Sequence, residues 1–504
     1  MSQATTQGVV FPVTPDGSRS TTRTGAHILA AALGPVAPQR AHAALQEKHW
    51  RRTYPAYFRS LVEGSLASSE VAMQSANNGL DSAWQNLCWS TEGQSDISLN
   101  DALAKGQNRF TTQTITGRGH AYLAPWTVPL NGENLSGPTL RAKVADWLAR
   151  GIMEPSAARA LERCIDHPEW FDLSDRTLVL LGAGSEAGPF RWLMQWRASV
   201  VAVDIDRPEV WKRLVDTARA GNGVLHAPVS VDADTTADWV AHAGANLITQ
   251  APDIAAWLQT FRGPLDIASL AYLDGERHVK VAMGMDMIAK TLCDHDKRTT
   301  LAFLATPTDM FAVTRETAQA SMEAYAARKM TKRTLQGSLH LATGDRFFQP
   351  NIEALRESDK GVQYGVVDSM VIEQGPNYAL AKRLQQWRAQ VARAAGHRVS
   401  LNVAPSTTTV SVLKNPALAA GFAGASSFGI EVFEPETTNA LMAALWVHDL
   451  RCNESAANPS VPLNHPLELF MDNACHGGLW RLAYLPRSAL PIAAALGWVR
   501  QRFN

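Results

Sequence analysis

The sequence predicts an α/β protein built on a doubly wound parallel sheet, and three observations carry that expectation. Thr177-Leu178-Val179-Leu180-Leu181 is a continuous apolar run, as a strand buried on both faces should be. A second such run, Ser199–Val203, ends on Asp204 after a glycine-rich turn and a helical stretch. Short apolar runs and helical patterns then keep alternating to about residue 452, the pattern of strands joined by crossover helices.

The elements follow in chain order. Residues 1–40 are rich in Thr, Ser, Gly and Pro and read as a flexible arm. Residues 41–171 read as a mainly helical N-terminal extension. Helical pattern runs from Ala41 to Trp89, loops from Glu92 to Gly137, and helices over Leu140–Arg150 and Ser156–Ile165. The sheet-bearing segment spans 172–452. After the first two strands, with a helix Phe190–Trp196 between them, come a third strand at Asn246–Thr249 and a helix over Asp253–Phe261. A fourth strand at Leu265–Leu270, a helix over Arg277–Leu292, a fifth strand at Thr300–Ala305 and a last one at Arg398–Val403 complete it. Residues 453–504 read as a helical C-terminal tail packed on the core.

Composition removes several classes. The chain of 504 residues is long enough for two or three domains, or one large domain with extensions, and needs no disulfide or metal staple. Forty-seven basic residues balance forty-seven acidic ones, which argues against an electrostatic nucleic-acid binder. Apolar stretches such as Ala489–Val499 fall well short of the roughly 20 residues a membrane span needs. The start, Met1-Ser2-Gln3, lacks the basic and apolar regions of a secretory signal. The five cysteines are scattered with no CxxC pair, so reduced thiols and a cytoplasmic location are expected.

The turn Gly182-Ala183-Gly184-Ser185-Glu186-Ala187-Gly188-Pro189 carries the first chemical signal. A tight strand-to-helix turn needs glycine for unusual backbone angles and for close approach of a phosphate. The helix that follows offers free N–H groups and a positive dipole end to an anion. Gly182, Gly184 and Gly188 suit that role, with Ser185 inside the turn. Asp204 lies 22 residues after Gly182, near the distance of the acid that holds a ribose 2′-hydroxyl. A Rossmann-type dinucleotide site, an S-adenosylmethionine site and a nucleotide-free tight turn all remain open on this signal.

The later segment separates them. Asn377-Tyr378-Ala379-Leu380-Ala381-Lys382 opens a helix with Leu380, Leu384, Trp387 and Val391 on one apolar stripe, ending near Gly396. Tyr378 and Lys382 stand one turn apart on one face. The strand to Val403 exits into Ala404-Pro405-Ser406-Thr407-Thr408-Thr409, with Pro405 27 residues after Tyr378. A second Tyr-x-x-x-Lys, Tyr325 and Lys329, has no strand and Pro-Thr turn at a matching distance and is set aside.

Residues 172–452 thus resemble the short-chain dehydrogenase/reductases, in particular ketoreductase domains of fatty-acid and polyketide synthases. The resemblance rests on the Tyr-x-x-x-Lys helix, the short strand, the Val-Ala-Pro turn with threonines, the glycine turn and Asp204. The pattern departs from the family at Leu181, Glu186 and Ala271–Gly275, and 73 residues separate Ala305 from Tyr378. That spacing implies a large helical insertion at about 309–363. The resemblance implies an oxidoreductase interconverting a ketone and a secondary alcohol, on a hydrophobic or acyl-type substrate. Tyr378 would be the proton donor or acceptor, its pKa lowered by the Lys382 ammonium. Lys382 would also hold the nicotinamide ribose, and Thr306, or alternatively Ser369, the substrate oxygen. The cofactor would be NAD or NADP, with NAD favoured by Asp204 and Arg207 standing close to it. Gly182, Gly184, Ser185, Gly188, Asp204, Lys382 and Pro405 would line the cofactor site. The insertion and extensions are expected to form a lid or a homo-oligomer contact.

Other clusters are set aside. Cys293-Asp294-His295-Asp296 holds metal-capable groups, but adjacent residues cannot all face one ion, so no metal is expected. Cys475-His476 are sequence neighbours and a poor nucleophile and base. His465, Trp480, Arg481 and Tyr484 read as a docking segment rather than a cover for the site. The competing functions are an S-adenosylmethionine-dependent methyltransferase, supported by Gly182–Asp204 alone, and a non-catalytic nucleotide- or partner-binding protein of the same fold.

Overall fold

The structure, a computed structural model, describes residues 7–119, 123–233, 238–328, 347–414 and 416–503. Its centre is a seven-stranded sheet of β1 (Phe110–Thr116), β2 (Thr177–Leu181), β3 (Ser199–Val203), β4 (Val224–Ser230), β5 (Leu265–Ser269), β6 (Thr300–Ala305) and β7 (Val399–Val403). Their spatial order is β7-β6-β5-β2-β3-β4-β1. Strands β2 to β7 run parallel to their neighbours, and β1 lies antiparallel along β4 at the edge. The winding starts at β2, moves outward through β3 and β4, then returns to lay β5 on the other side of β2. That reversal leaves a crevice beyond the carboxyl ends of β2 and β5, where open sheets of this kind hold ligands.

The alternation of side chains along each strand divides the interior in two. Val179, Leu181, Val201, Ile267, Leu301 and Leu401 belong to one apolar layer. It is completed by the helices Thr21–Leu33, Trp50–Ser65, Glu276–His295 and Pro376–Ala394. Leu178, Leu180, Val200, Ala268 and Ala302 belong to the opposite layer, with the helices Pro155–Asp166, Pro208–Ala220 and Pro435–Arg451. A strand must be apolar on both faces to serve two layers, which is why β2 and β3 read as unbroken runs.

Glu276–His295 and Pro376–Ala394 are fixed to each other by a buried ion pair. Arg388 Nε and Nη2 donate to the two oxygens of Asp286 at 2.6 and 2.9 Å, and Trp84 Nε1 donates to the same carboxylate at 2.8 Å. This anchor sets the position of the helix that carries Tyr378 and Lys382.

Several expected elements differ. The third parallel strand is Val224–Ser230, not Asn246–Thr249. Pro228 within it masks the strand pattern, and β1 tolerates it at the sheet margin. At Asn246 the side-chain oxygen instead accepts from the N–H groups of Ile248 and Thr249 at 2.9 and 3.4 Å, closing a local turn that competes with a strand. The helix after the glycine turn covers only Phe190–Leu193, and the chain soon takes a left-handed step at Arg197 (φ 59°). The segment from 309 is not purely helical. Met310–Thr314 pairs antiparallel with Gln363–Asp368, flanking the helix Arg315–Ala326. Part of that insertion, including Lys329, lies outside the described residues. Within 1–40, Gly8–Val10 forms a strand and Thr21–Leu33 a helix capped by Ser20, with Val9, Phe11, Ile28 and Leu29 fully buried, where a flexible arm was expected. Among the described residues, no helix is long and apolar enough to cross a membrane.

Candidate functional site

A cavity of about 820 Å³ opens at the carboxyl ends of the strands, along the crevice between β2 and β5. Five strand ends contribute to its wall: Gly182 after β2, Asp204 after β3, Leu270 after β5, Thr306 after β6 and Pro405 after β7. Gly184, Ser185, Ser369, Tyr378 and Lys382 also line it. Gly188 does not; its N–H donates to the Ser185 carbonyl at 3.0 Å and closes the turn from behind.

The glycine turn is built around protein contacts. Gly182 has φ +99°, and a Cβ there would lie 2.6 Å from the Ala271 nitrogen on the loop after β5. Glycine is therefore required for both the backbone angle and the close passage of two chain segments. Asp204 Oδ2 accepts from the Gly184 N–H at 2.6 Å and Oδ1 from the Ile205 N–H at 2.9 Å. Burial pushes its carboxyl pKa up from 3.8, against the pull of those two bonds. Each oxygen keeps a lone pair for a further donor. Arg213 Nη2 donates to the Gly184 carbonyl at 3.1 Å from the next helix. The helix expected over Phe190–Trp196 behind the turn is shorter, a single turn over Phe190–Leu193.

The opposite wall starts at Gly375 (φ 81°), whose left-handed backbone lets the chain enter the helix at Pro376. Tyr378 sits in the first turn and Lys382 in the second. The Thr306 hydroxyl lies close enough to the Tyr378 phenol to draw its pKa down. Thr306 in turn shares a 2.9 Å bond with Thr308, which accepts from Gln374 Nε2 at 2.8 Å. Lys382 Nζ donates to the Leu304 carbonyl at 3.2 Å and to Gln385 Oε1 at 3.4 Å. The three residues singled out as Tyr378, Lys382 and Thr306 are thus brought together at one corner of the cavity.

Their electrostatics differ from the expectation. Burial pushes the Tyr378 phenol up to about 12; the nearby Thr306 hydroxyl pulls it down and the Asp309 charge adds to the rise. Lys382 does not lower it. Burial instead lowers the Lys382 ammonium from 10.5 to about 8, with Asp309 opposing. A low-dielectric wall disfavours the charged form of both groups, so each moves toward neutrality.

Three residues that the sequence did not single out shape this corner. The His278 ring stacks on Tyr378, and Tyr272 meets the same phenol edge-on at 5.9 Å. Asp309, 2% exposed, accepts from Gln386 Nε2 at 2.8 Å and from Arg383 Nη2 at 3.4 Å below Tyr378 and Lys382. His278 is 100 residues from Tyr378 and gives no local signal. Asp309 does: an acid three residues after Thr306, at the end of an apolar run, marks the mouth of a strand.

The C-terminal tail, expected to dock rather than cover the site, does both: Leu479, Leu482, Pro486 and Leu490 line the cavity. The other clusters set aside lie elsewhere. Cys475 and His476 are fully buried beyond β7. His476 bonds Glu154 Oε1 at 2.9 Å, and Arg481 holds both oxygens of Glu154 at 3.0 and 2.9 Å. Asp294 and Asp296 pair with Lys290 and Arg298 at a helix end. Among the described residues, no group of three or more His, Cys, Asp or Glu is arranged to hold a metal ion.

No family model matches the chain, and no curated protein matches its sequence.

Proposed function

We propose that this chain is an NAD(P)-dependent oxidoreductase of the short-chain dehydrogenase/reductase type, interconverting a ketone and a secondary alcohol. The observation that carries the reading is the gathering of Thr306, Tyr378 and, one turn on, Lys382 on the wall of one cavity, at the end of the strand beside the β2–β5 crevice. The strand order supports a Rossmann-type sheet, since it winds outward from β2 in both directions.

The cavity residues fit a dinucleotide at two places. The free lone pairs of Asp204 would take ribose hydroxyls, favouring NAD, and Lys382 would hold the nicotinamide ribose. A bound nicotinamide would supply or accept the hydride. Thr306 would orient the substrate oxygen. Tyr378 would deliver its proton to that oxygen as the carbonyl carbon gains hydride, and the reverse transfer would return it. With its phenol held near 12, Tyr378 keeps its proton at neutral pH and suits the reducing direction. A cytoplasmic location fits five cysteines that are all free thiols.

One observation favours a second reading, an S-adenosylmethionine-dependent methyltransferase. The one-turn helix Phe190–Leu193 offers little to a pyrophosphate, and S-adenosylmethionine carries none. The test is the loss of reduced-nicotinamide absorbance with a panel of ketones. Turnover that vanishes in Tyr378→Phe while cofactor binding persists supports the oxidoreductase. Cofactor binding without turnover in the wild type points to a non-catalytic binder.

A further inference from the structure

A helix at the surface of a folded chain turns charged or polar side chains to water, and one that is apolar all round is normally covered. The tail helix Pro486–Phe503 breaks that pattern. Its eleven residues Ala489–Val499 include no polar side chain. One face, with Ala493 and Gly497, packs on the helix Pro416–Gly424: a Cβ on Gly497 would sit 2.1 Å from the Ala420 carbonyl oxygen, and one on Gly424 1.9 Å from that of Ala493. The opposite face carries Pro491, Ala495 and Trp498 at i, i+4 and i+7, and all three are exposed. Leu496 at its flank is exposed as well. Of the fifteen tryptophans, all among the described residues, Trp498 alone is exposed, at 53%. Pro416–Gly424 also lacks any polar side chain, and Leu413 just before it is 58% exposed.

The charges of these two segments have one sign. Residues 410–424 and 486–503 hold Lys414, Arg487, Arg500 and Arg502 and no acid. Arg487 is engaged with the buried Asp368, while Lys414 is exposed. The nearest acid along the chain, Glu431, is taken by Arg150 at 2.6 Å. Eleven apolar residues make about 16 Å of helix, roughly half of a bilayer's hydrocarbon core, so this helix is too short to cross one. A short apolar face bearing Trp and Leu, with basic residues at its ends, suits a helix that lies in the plane of the lipid headgroups, the level tryptophan favours. We propose that this helix pair docks on the surface of an anionic membrane. Leu413, Leu496 and Trp498 enter the boundary between headgroups and acyl chains, and the basic residues of the two segments supply the attraction to lipid phosphates. The same one-signed charge would repel a second copy of the chain laid on this face. The surface is independent of the reaction performed in the cavity.

The test is co-sedimentation of the full chain with vesicles of phosphatidylcholine alone and of phosphatidylcholine mixed with phosphatidylglycerol. The chain should sediment with the mixed vesicles and be released from them by salt. Trp498→Ser should weaken that binding about tenfold. Lys414→Gln should weaken it about fivefold on the mixed vesicles only. Leu45→Ser, at a similarly exposed leucine on the helix Pro38–Gln46, should leave it unchanged. Circular dichroism melts of the three variants confirm that each is folded. No sedimentation with either vesicle, equal sedimentation with both, or equal losses in Trp498→Ser and Leu45→Ser overturns the proposal. So does a dimer, seen by equilibrium ultracentrifugation, that Trp498→Ser dissociates in a chain that binds no vesicle; the face then belongs to a second copy.

Discussion

The imidazole of His278 lies parallel to the phenol ring of Tyr378, with centroids 5.3 Å apart and planes 10° from each other. His278 Nδ1 accepts the Leu273 N–H at 3.2 Å, so its proton sits on Nε2, which is buried without a hydrogen-bond partner among the described residues. Burial and the neighbouring Lys382 charge both hold this histidine well below its usual pKa, so it packs as a neutral plate. The stack fixes the phenol ring on the cavity wall that Thr306 also lines.

His278→Ala should therefore free the Tyr378 ring and lower kcat, whereas His278→Phe, which keeps a stacking surface, should retain most of it. Tyr378→Phe removes the proposed proton donor and should lower kcat by about 10²–10⁴-fold with little change in cofactor affinity. Steady-state kinetics with a common ketone and parallel cofactor titrations check all three variants.

The Lys382 ammonium is destabilised by the fold, from 10.5 to about 8. Folded protein binds fewer protons than unfolded protein between those values, so the contribution of this group to stability rises with pH across pH 8–10.5. Lys382→Met should be more stable than wild type at pH 7 by up to about 3 kcal/mol, and the difference should shrink above pH 8. Denaturant melts at a series of pH values read this directly. The same variant should lose reductase activity.

Glu154 behaves oppositely. Burial pushes its carboxyl up, but hydrogen bonds from His476 and Arg481 outweigh burial and hold it at about 2, below the ordinary 4.5. Its stabilisation is complete above about pH 4.5 and is lost as pH falls toward 2. Glu154→Gln should cost about 3 kcal/mol at pH 7 and converge with wild type in strong acid. Acid-unfolding curves of the two proteins give the comparison.

Asp286→Ala leaves the Arg388 guanidinium buried without its partner and should cost about 3–5 kcal/mol. Because the pair sits between the helices Glu276–His295 and Pro376–Ala394, it also holds His278 against Tyr378. A Tm measurement reports the first effect, and kcat at a temperature where the variant stays folded reports the second.

Strands β2, β3 and β6 were legible because burial on both faces leaves an unbroken apolar run. The Tyr378–Lys382 face was legible because helical spacing is local. Strand β4 was hidden by Pro228 and His226, and Asn246–Thr249 imitated a strand in two apolar residues between polar turn-formers. The truncated helix at Phe190–Leu193 had no sequence mark short of the left-handed Arg197. The direction of the Tyr378 shift could not be read from a lysine four residues away. It depends on how His278, Tyr272 and Asp309 enclose the phenol, and those residues come from two other loops and helices.

The proposed oxidoreductase would hold a nicotinamide cofactor at Asp204 beside the Tyr378 corner. Calorimetric titration of the full chain with NAD, NADH, NADP, NADPH and S-adenosylmethionine tests it most directly. A nicotinamide dinucleotide should bind, NAD or NADH ahead of the phosphorylated forms, and more weakly in Asp204→Ala. Binding of S-adenosylmethionine alone, or silence from all four nicotinamide forms, would contradict it.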